Sequence, residues 1–159
     1  MKPAISASAT NTFRISHPPL DDAEARFERL SAHQDMLVQR FLPEVSRDGE
    51  WSLVFFAGVF SHAVLKRPGT ADFRVQEELG GRATALTPAP ELLRAAAVAT
   101  GLIPGDWLYV RVDGVVVEGE FVLMELECLE PRLYFLDDSM AATRCAEALF
   151  SRLKGTGAH

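Results

Sequence analysis

Cysteine is scarce here: the 159 residues hold two, Cys128 and Cys145. Two thiols without a further pair exclude a disulfide-stapled secreted scaffold and suit a reducing cytoplasm. Basic residues are outnumbered, sixteen Lys and Arg against twenty-two Asp and Glu, for a net charge of -6. With no basic stripe, that balance argues against a nucleic-acid partner. No apolar run reaches the length of a membrane span, since the longest, such as SLVFFAGVF, are strand-sized. The opening MKPAISASATNTF lacks the apolar centre of a signal peptide. Also missing are a glycine-rich P-loop, a dinucleotide fingerprint, a serine elbow and a histidine–glutamate zinc motif. The four histidines have no ligand spacing, and His62 reads as a strand residue.

The chain has what an ordinary folded domain needs, with 48% hydrophobic and 24% charged residues. It contains no internal repeat and no low-complexity linker, so residues 1–159 read as one domain. Acidic residues after Pro18-Pro19 start a helix from about Asp22 to His33, with Ala25, Phe27, Leu30 and Ala32 on its apolar face. Strand-like runs follow: MLVQRFL, WSLVFFAG and VFSHAVLK, the last two joined by a tight turn at Ala57-Gly58. A short strand over Asp72 to Gln76 stops at Gly80-Gly81. Pro88 to Glu91 opens a second helix that ends near Gly101 and Pro104. After an acidic hairpin, a third helix runs from about Asp138 to Lys154. The order predicts an α+β fold, a mostly antiparallel sheet with three helices.

The hairpin carries the densest chemistry. In VLMELEC, Glu125 and Glu127 share one strand face with Leu123, while Val122, Met124, Leu126 and Cys128 take the other. A three-residue loop, Glu118-Gly119-Glu120, would set Asp113 opposite Glu125 and Arg111 opposite Glu127. Like charges directly opposite destabilise a sheet, so that pairing calls for a counter-ion. A divalent cation with hard oxygen ligands is one answer, and a solvated outer face is the other. A two-residue turn would shift the register by one and dissolve the cluster. The same three carboxylates could also serve a metal-dependent hydrolase.

A second concentration is LKRPGTADFRVQEELGG, where Lys66, Arg67 and Arg74 flank a Pro68-Gly69 turn. Arg74 and Gln76 lie on one strand face, a pairing that suits a phosphate or carboxylate. A hairpin edge guarded by charge is the alternative. Glu44 and Glu50 read as loop carboxylates.

Five segments in this order resemble the C-terminal part of an ATP-grasp ligase. They are KPAISASATNTFR, MLVQRFLPEV, GEWSLVFFAGVFSHAVLKRP, DFRVQEELGG, and RVD with MELECLEP. The branch that includes glutathione synthetase, the ribosomal-protein glutamate ligases and the cyclo-ligase of cycloserine synthesis is the most similar. The resemblance spans Lys2 to about Phe135 and implies ATP-dependent joining of a small-molecule carboxylate to an amine through an acyl phosphate.

By motif, the resemblance makes Asp113, Glu125 and Glu127 the Mg²⁺ ligands bridging the ATP phosphates. Glu127 stands where many relatives have asparagine. Lys2 becomes the lysine near the phosphates or adenine, and Gln39, Arg40, Phe41 and Leu42 the adenine hinge. Glu44 becomes the ribose carboxylate. Lys66 and Arg74, with Gln76, become contacts to phosphate and acyl phosphate, and Ile5 to Thr12 the loop over them. Arg132 stands where close relatives have a small residue, which would crowd the site. In relatives the Lys-Pro pair lies in mid-domain, whereas here only Met1 precedes it. The N-terminal substrate lobe and the first half of the nucleotide-clamping subdomain are therefore expected to lie outside this sequence, through an upstream start, a fragment, or a second chain that supplies the rest. An exposed sheet edge near Lys2 would then favour association, with that lobe or with another copy.

Overall fold

The computed structural model describes residues 1–5, 10–15, 21–69 and 80–155. The expected strand at Asp72 to Gln76, with Arg74 and Gln76, lies outside the described residues, as do residues 6–9 of the Ile5 to Thr12 loop. The described chain divides into two compact units, Met1–Pro43 and Glu44–His159.

In the first unit, β1 (Lys2–Pro3) pairs antiparallel with β2 (Met36–Leu37), Lys2 opposite Leu37. The expected strand MLVQRFL is thus cut to its first two residues. Its partner is only two residues long, and Pro3 has no N–H to continue the ladder. Helix α1 (Asp21–Ser31) buries Ala23 and half-buries Phe27 and Leu30, positions one helical face apart. Ala25 and Ala32, expected on that face, are exposed. Arginines sit over aromatic rings, Arg14 over Phe41 and Arg26 over Phe13, each at 4.1 Å.

The second unit is built on a five-stranded sheet in the order β5-β4-β3-β6-β7, with every neighbouring pair antiparallel. The strands are β3 (Glu50–Phe56), β4 (Val59–Arg67), β5 (Arg82–Ala85), β6 (Tyr109–Val117) and β7 (Glu120–Glu127). Helix α3 (Pro90–Gly101) starts on a proline with Glu91 in its first turn, as its N-terminal dipole favours. Its Leu92, Ala96 and Ala99 pack on Leu53, Phe55, Ala63, Val110 and Val112, which form the core. Helix α4 (Ala141–Gly155) packs against β3 and β4. One helix exceeds the three expected: α2 (Glu44–Arg47), a single turn that buries Val45. Glu44 is therefore helical and Glu50 lies in a strand, so neither is a loop residue. Among the described residues no helix is long and apolar enough to cross a membrane.

The two hairpins share one construction. Each turns on two residues with positive φ, Ala57-Gly58 and Glu118-Gly119, as the twist-matched tight turn requires. Each then inserts one extra residue in its second strand. In β4 the pairs Phe55↔Phe60 and Val54↔His62 leave Ser61 unpaired; in β7 the pairs Gly114↔Leu123 and Asp113↔Glu125 leave Met124 unpaired. The acidic hairpin thus has a two-residue turn instead of the expected three-residue loop. Its bulge restores the displaced register, setting Asp113 opposite Glu125 and Arg111 opposite Glu127. The bulge also places Leu123 on the face of Gly114 and Leu126, not with the glutamates as simple alternation implied.

Candidate functional site

The sheet face away from the apolar core carries a row of charge across four strands. Register places Lys66 opposite Glu50, Ser52 opposite Asp113, Asp113 opposite Glu125 and Arg111 opposite Glu127. Asp113 is its centre, 1% exposed. Ser52 Oγ donates to Asp113 Oδ1 at 2.7 Å, and Lys66 Nζ donates to Oδ2 at 3.2 Å. The Arg111 guanidinium clasps both oxygens, Nε to Oδ1 at 2.9 Å and Nη2 to Oδ2 at 2.9 Å. It also donates to Glu127 Oε1 and, through Nη1, to the Arg132 carbonyl at 3.1 Å. Lys66 Nζ makes its shorter bond to Glu50 Oε1, at 2.5 Å. Tyr134 is buried with its backbone at φ 50 and lies beneath the guanidiniums of Arg111 and Arg132, 5.9 and 5.1 Å from its ring. Arg132 is thus an exposed cover on Tyr134.

Electrostatics follow from this packing. Burial alone would push the Asp113 carboxyl up, but Lys66, Arg111 and the hydrogen bonds hold it below the ordinary range. Burial would likewise lower the Lys66 ammonium, yet Asp113 and Glu50 hold it well above its usual value. Glu50 and Glu127 are pushed up, chiefly by burial and further by neighbouring carboxylates, against the pull of Lys66 and Arg111. On this face Lys66 serves Glu50 and Asp113, and Arg111 serves Asp113 and Glu127.

The carboxylates also bear on a metal ion. One oxygen each from Asp113, Glu125 and Glu127 lies within 4.8 Å of the others. Adjacent oxygens on an octahedral Mg²⁺ stand about 3.0 Å apart, so the three would draw together to hold one ion. The hard-oxygen donor set fits such an ion, with Glu125 exposed at the edge strand and Asp113 buried behind it.

The remaining expected residues fall elsewhere. Lys2, Gln39, Arg40, Phe41 and Leu42 belong to the first unit, with Gln39 and Arg40 exposed and the others half-buried. Glu44 opens the second unit. Its Oε2 is buried with no hydrogen-bond partner among the described residues, and its Oε1 lies 3.7 Å from Arg47. Reading the sequence alone missed Glu50, Ser52 and Tyr134 as members of the charged face. Counted back from the Ala57-Gly58 turn, Glu50 would face Leu65, and only the Ser61 bulge brings Lys66 opposite it.

No family model matches the sequence. The cycloserine biosynthesis protein DcsG of Streptomyces lavendulae is 30% identical over 166 residues, 97% of this chain and 54% of that protein. The crystal structure of D-cycloserine synthetase DcsG superposes with a TM-score of 0.66 at 28% identity, covering 84% of this chain and 48% of that one. D-alanine–D-alanine ligase from Bacillus anthracis, solved with ATP, gives 0.55 at 15% identity, over 82% of this chain and 45% of that one, a likeness of fold alone. The chain spans about half the length of these relatives. By sequence likeness the chain resembles a portion of the ATP-grasp ligases, and its fold is part of the ATP-grasp fold.

Proposed function

We propose that this chain is the Mg²⁺- and ATP-binding portion of an ATP-grasp carboxylate–amine ligase acting in the cytoplasm. The observation that carries the reading is the Asp113, Glu125 and Glu127 trio, aligned across two strands beside Lys66 and Arg111. A bound Mg²⁺ would supply charge neutralisation for the phosphates, and the three carboxylates would hold it. Lys66 spends two of its three donors on Glu50 and Asp113, leaving one for a phosphate oxygen. Arg111, locked by Asp113 and Glu127, would offer fixed positive charge where negative charge develops on the carboxylate's acyl phosphate. Arg74 and Gln76 take the same role by motif. The orphaned Oε2 of Glu44 is an acceptor suited to a ribose hydroxyl. Lys2 and Gln39 to Leu42 are proposed for the phosphates and adenine. The acid and amine, and the further lobe or second copy that would complete the site, belong to the same proposal.

Thermal melting with Mg²⁺-ATP, with Mg²⁺ alone and with neither tests this reading. A ligand at a hundred times its dissociation constant stabilises by about 2.7 kcal/mol, a readily measured rise. A rise with Mg²⁺-ATP that clearly exceeds the rise with Mg²⁺ alone is expected. A second reading is a non-catalytic nucleotide- or partner-binding module, and no rise with ATP would favour it.

A further inference from the structure

Glu50 is not among the expected cation ligands, yet it is the carboxylate nearest the Lys66 ammonium. Lys66 Nζ stands 2.5 Å from Glu50 Oε1 and 3.2 Å from Asp113 Oδ2. All three side chains are shielded, Lys66 10%, Glu50 13% and Asp113 1% exposed. We propose that Glu50 is a positioning residue that draws Lys66 off Asp113 and so keeps Asp113 available to a divalent cation. The inference rests on the reading of Asp113, Glu125 and Glu127 as a cation site.

The backbone fixes Glu50 in this place. Gly49, at φ 99, presses so closely on β4 that a Cβ there would lie 2.7 Å from the Lys66 carbonyl oxygen. No other residue fits without moving the strands apart, so Glu50 and Lys66 start from a rigid pairing. Asp113 Oδ2 already accepts from Arg111 Nε at 3.1 Å and from Nη2 at 2.9 Å. An ammonium settling fully on the same oxygen would compete directly with a metal ion. Coulomb attraction grows as separation shrinks, so the nearer carboxylate holds the larger share of the ammonium. Remove the charge of Glu50, and Asp113 becomes the stronger of the two partners.

The test is Mn²⁺ binding to the full chain without nucleotide, measured by titration calorimetry, with metal-free melting alongside. Wild type is expected to bind, and Glu50→Gln to bind about tenfold more weakly or worse, the usual range for losing a partner that orients a metal ligand. The double variant Glu50→Gln/Lys66→Met removes the competing ammonium too and should recover wild-type affinity or better. A merely structural Glu50 would lower the melting temperature and leave affinity unchanged, which overturns the proposal. Weak binding that persists in the double variant overturns it as well, because the loss would not run through Lys66. If Glu50→Gln does not fold, the double variant alone decides by the same criterion. Wild type that binds no Mn²⁺ overturns the cation-site reading together with this inference, whereas normal binding unaltered by Glu50→Gln overturns the inference alone.

Discussion

Asp113 accepts hydrogen bonds from Ser52, Lys66 and Arg111 and has almost no exposure to water. Glu125, directly opposite, is exposed on the edge strand. The two should respond differently to loss of charge. Asp113→Asn leaves two buried cations short of a counter-charge, which is expected to lower unfolding free energy by about 3–5 kcal/mol. Glu125→Gln should move stability by no more than about 0.5 kcal/mol, since an exposed side chain gives up little. It should nonetheless weaken Mg²⁺-ATP binding. Urea unfolding with a parallel ligand titration separates the two. A large metal-free loss for Glu125→Gln would mark it as a structural partner of the arginine instead. The acidic trio was legible in the sequence because alternation and approximate pairing bring it together. Ser52 and Tyr134 were not, because nothing local says which buried strand or loop will lie over an aspartate.

At the scale of elements, the two hairpins were legible as turns but not as registers. Ala57-Gly58 and Glu118-Gly119 announce tight turns, and both adopt the positive φ those turns need. A tight turn alone would put Glu50 and Glu125 one position out of pairing. The bulges at Ser61 and Met124 undo that shift, and each is selected by what the strand faces pack against. Gly114 shows how close the second bulge is to a packing limit. A Cβ there would meet the Phe121 ring at 2.4 Å and the Val122 carbonyl oxygen at 2.6 Å. Gly114→Ala is therefore expected to destabilise by about 1–3 kcal/mol or more, as overpacked cores do. Because a backbone atom is part of the obstruction, trimming Phe121 to Ala in the same chain should not restore stability. Full rescue in chemical denaturation would show that the ring alone sets the constraint.

Across the second unit as a whole, His62 joins the sheet to the segment that covers its charged face. Its Nε2 lies 2.9 Å from the Leu133 carbonyl, and its Nδ1 lies 2.8 Å from Ser61 Oγ. Ser61 in turn accepts from Arg144 Nε of α4, and Arg144 also binds Asp138. With Nε2 protonated toward the carbonyl and Nδ1 accepting from Ser61, the neutral ring satisfies every partner. Burial, ahead of the opposing pulls of Leu133 and Asp138, lowers the His62 pKa. A histidine titrates near pH 6.5 in the unfolded chain, so acidification below that value protonates the unfolded state first. Stability held at neutral pH should therefore fall as pH drops through about 6.5 and level off below the folded pKa. Melting temperatures from about pH 7.5 to 5.5 should decline more steeply for wild type than for His62→Gln. Parallel slopes would remove His62 from that account.

The sequence by itself determined the elements with strong local signals: the paired tight turns, the proline-initiated helix, and the alternating strands whose residues supply the site. It also carried the superfamily resemblance, because motif strings survive without knowledge of contacts. Only the tertiary structure decided that MLVQRFL would stop as a strand after two residues and that Glu50 would face Lys66. Those outcomes depend on partners distant in the chain. A ladder extends only as far as its neighbour, and a register settles where two faces bury their apolar and charged residues together. The charged face is such a product, since its residues come from four strands that no local window contains.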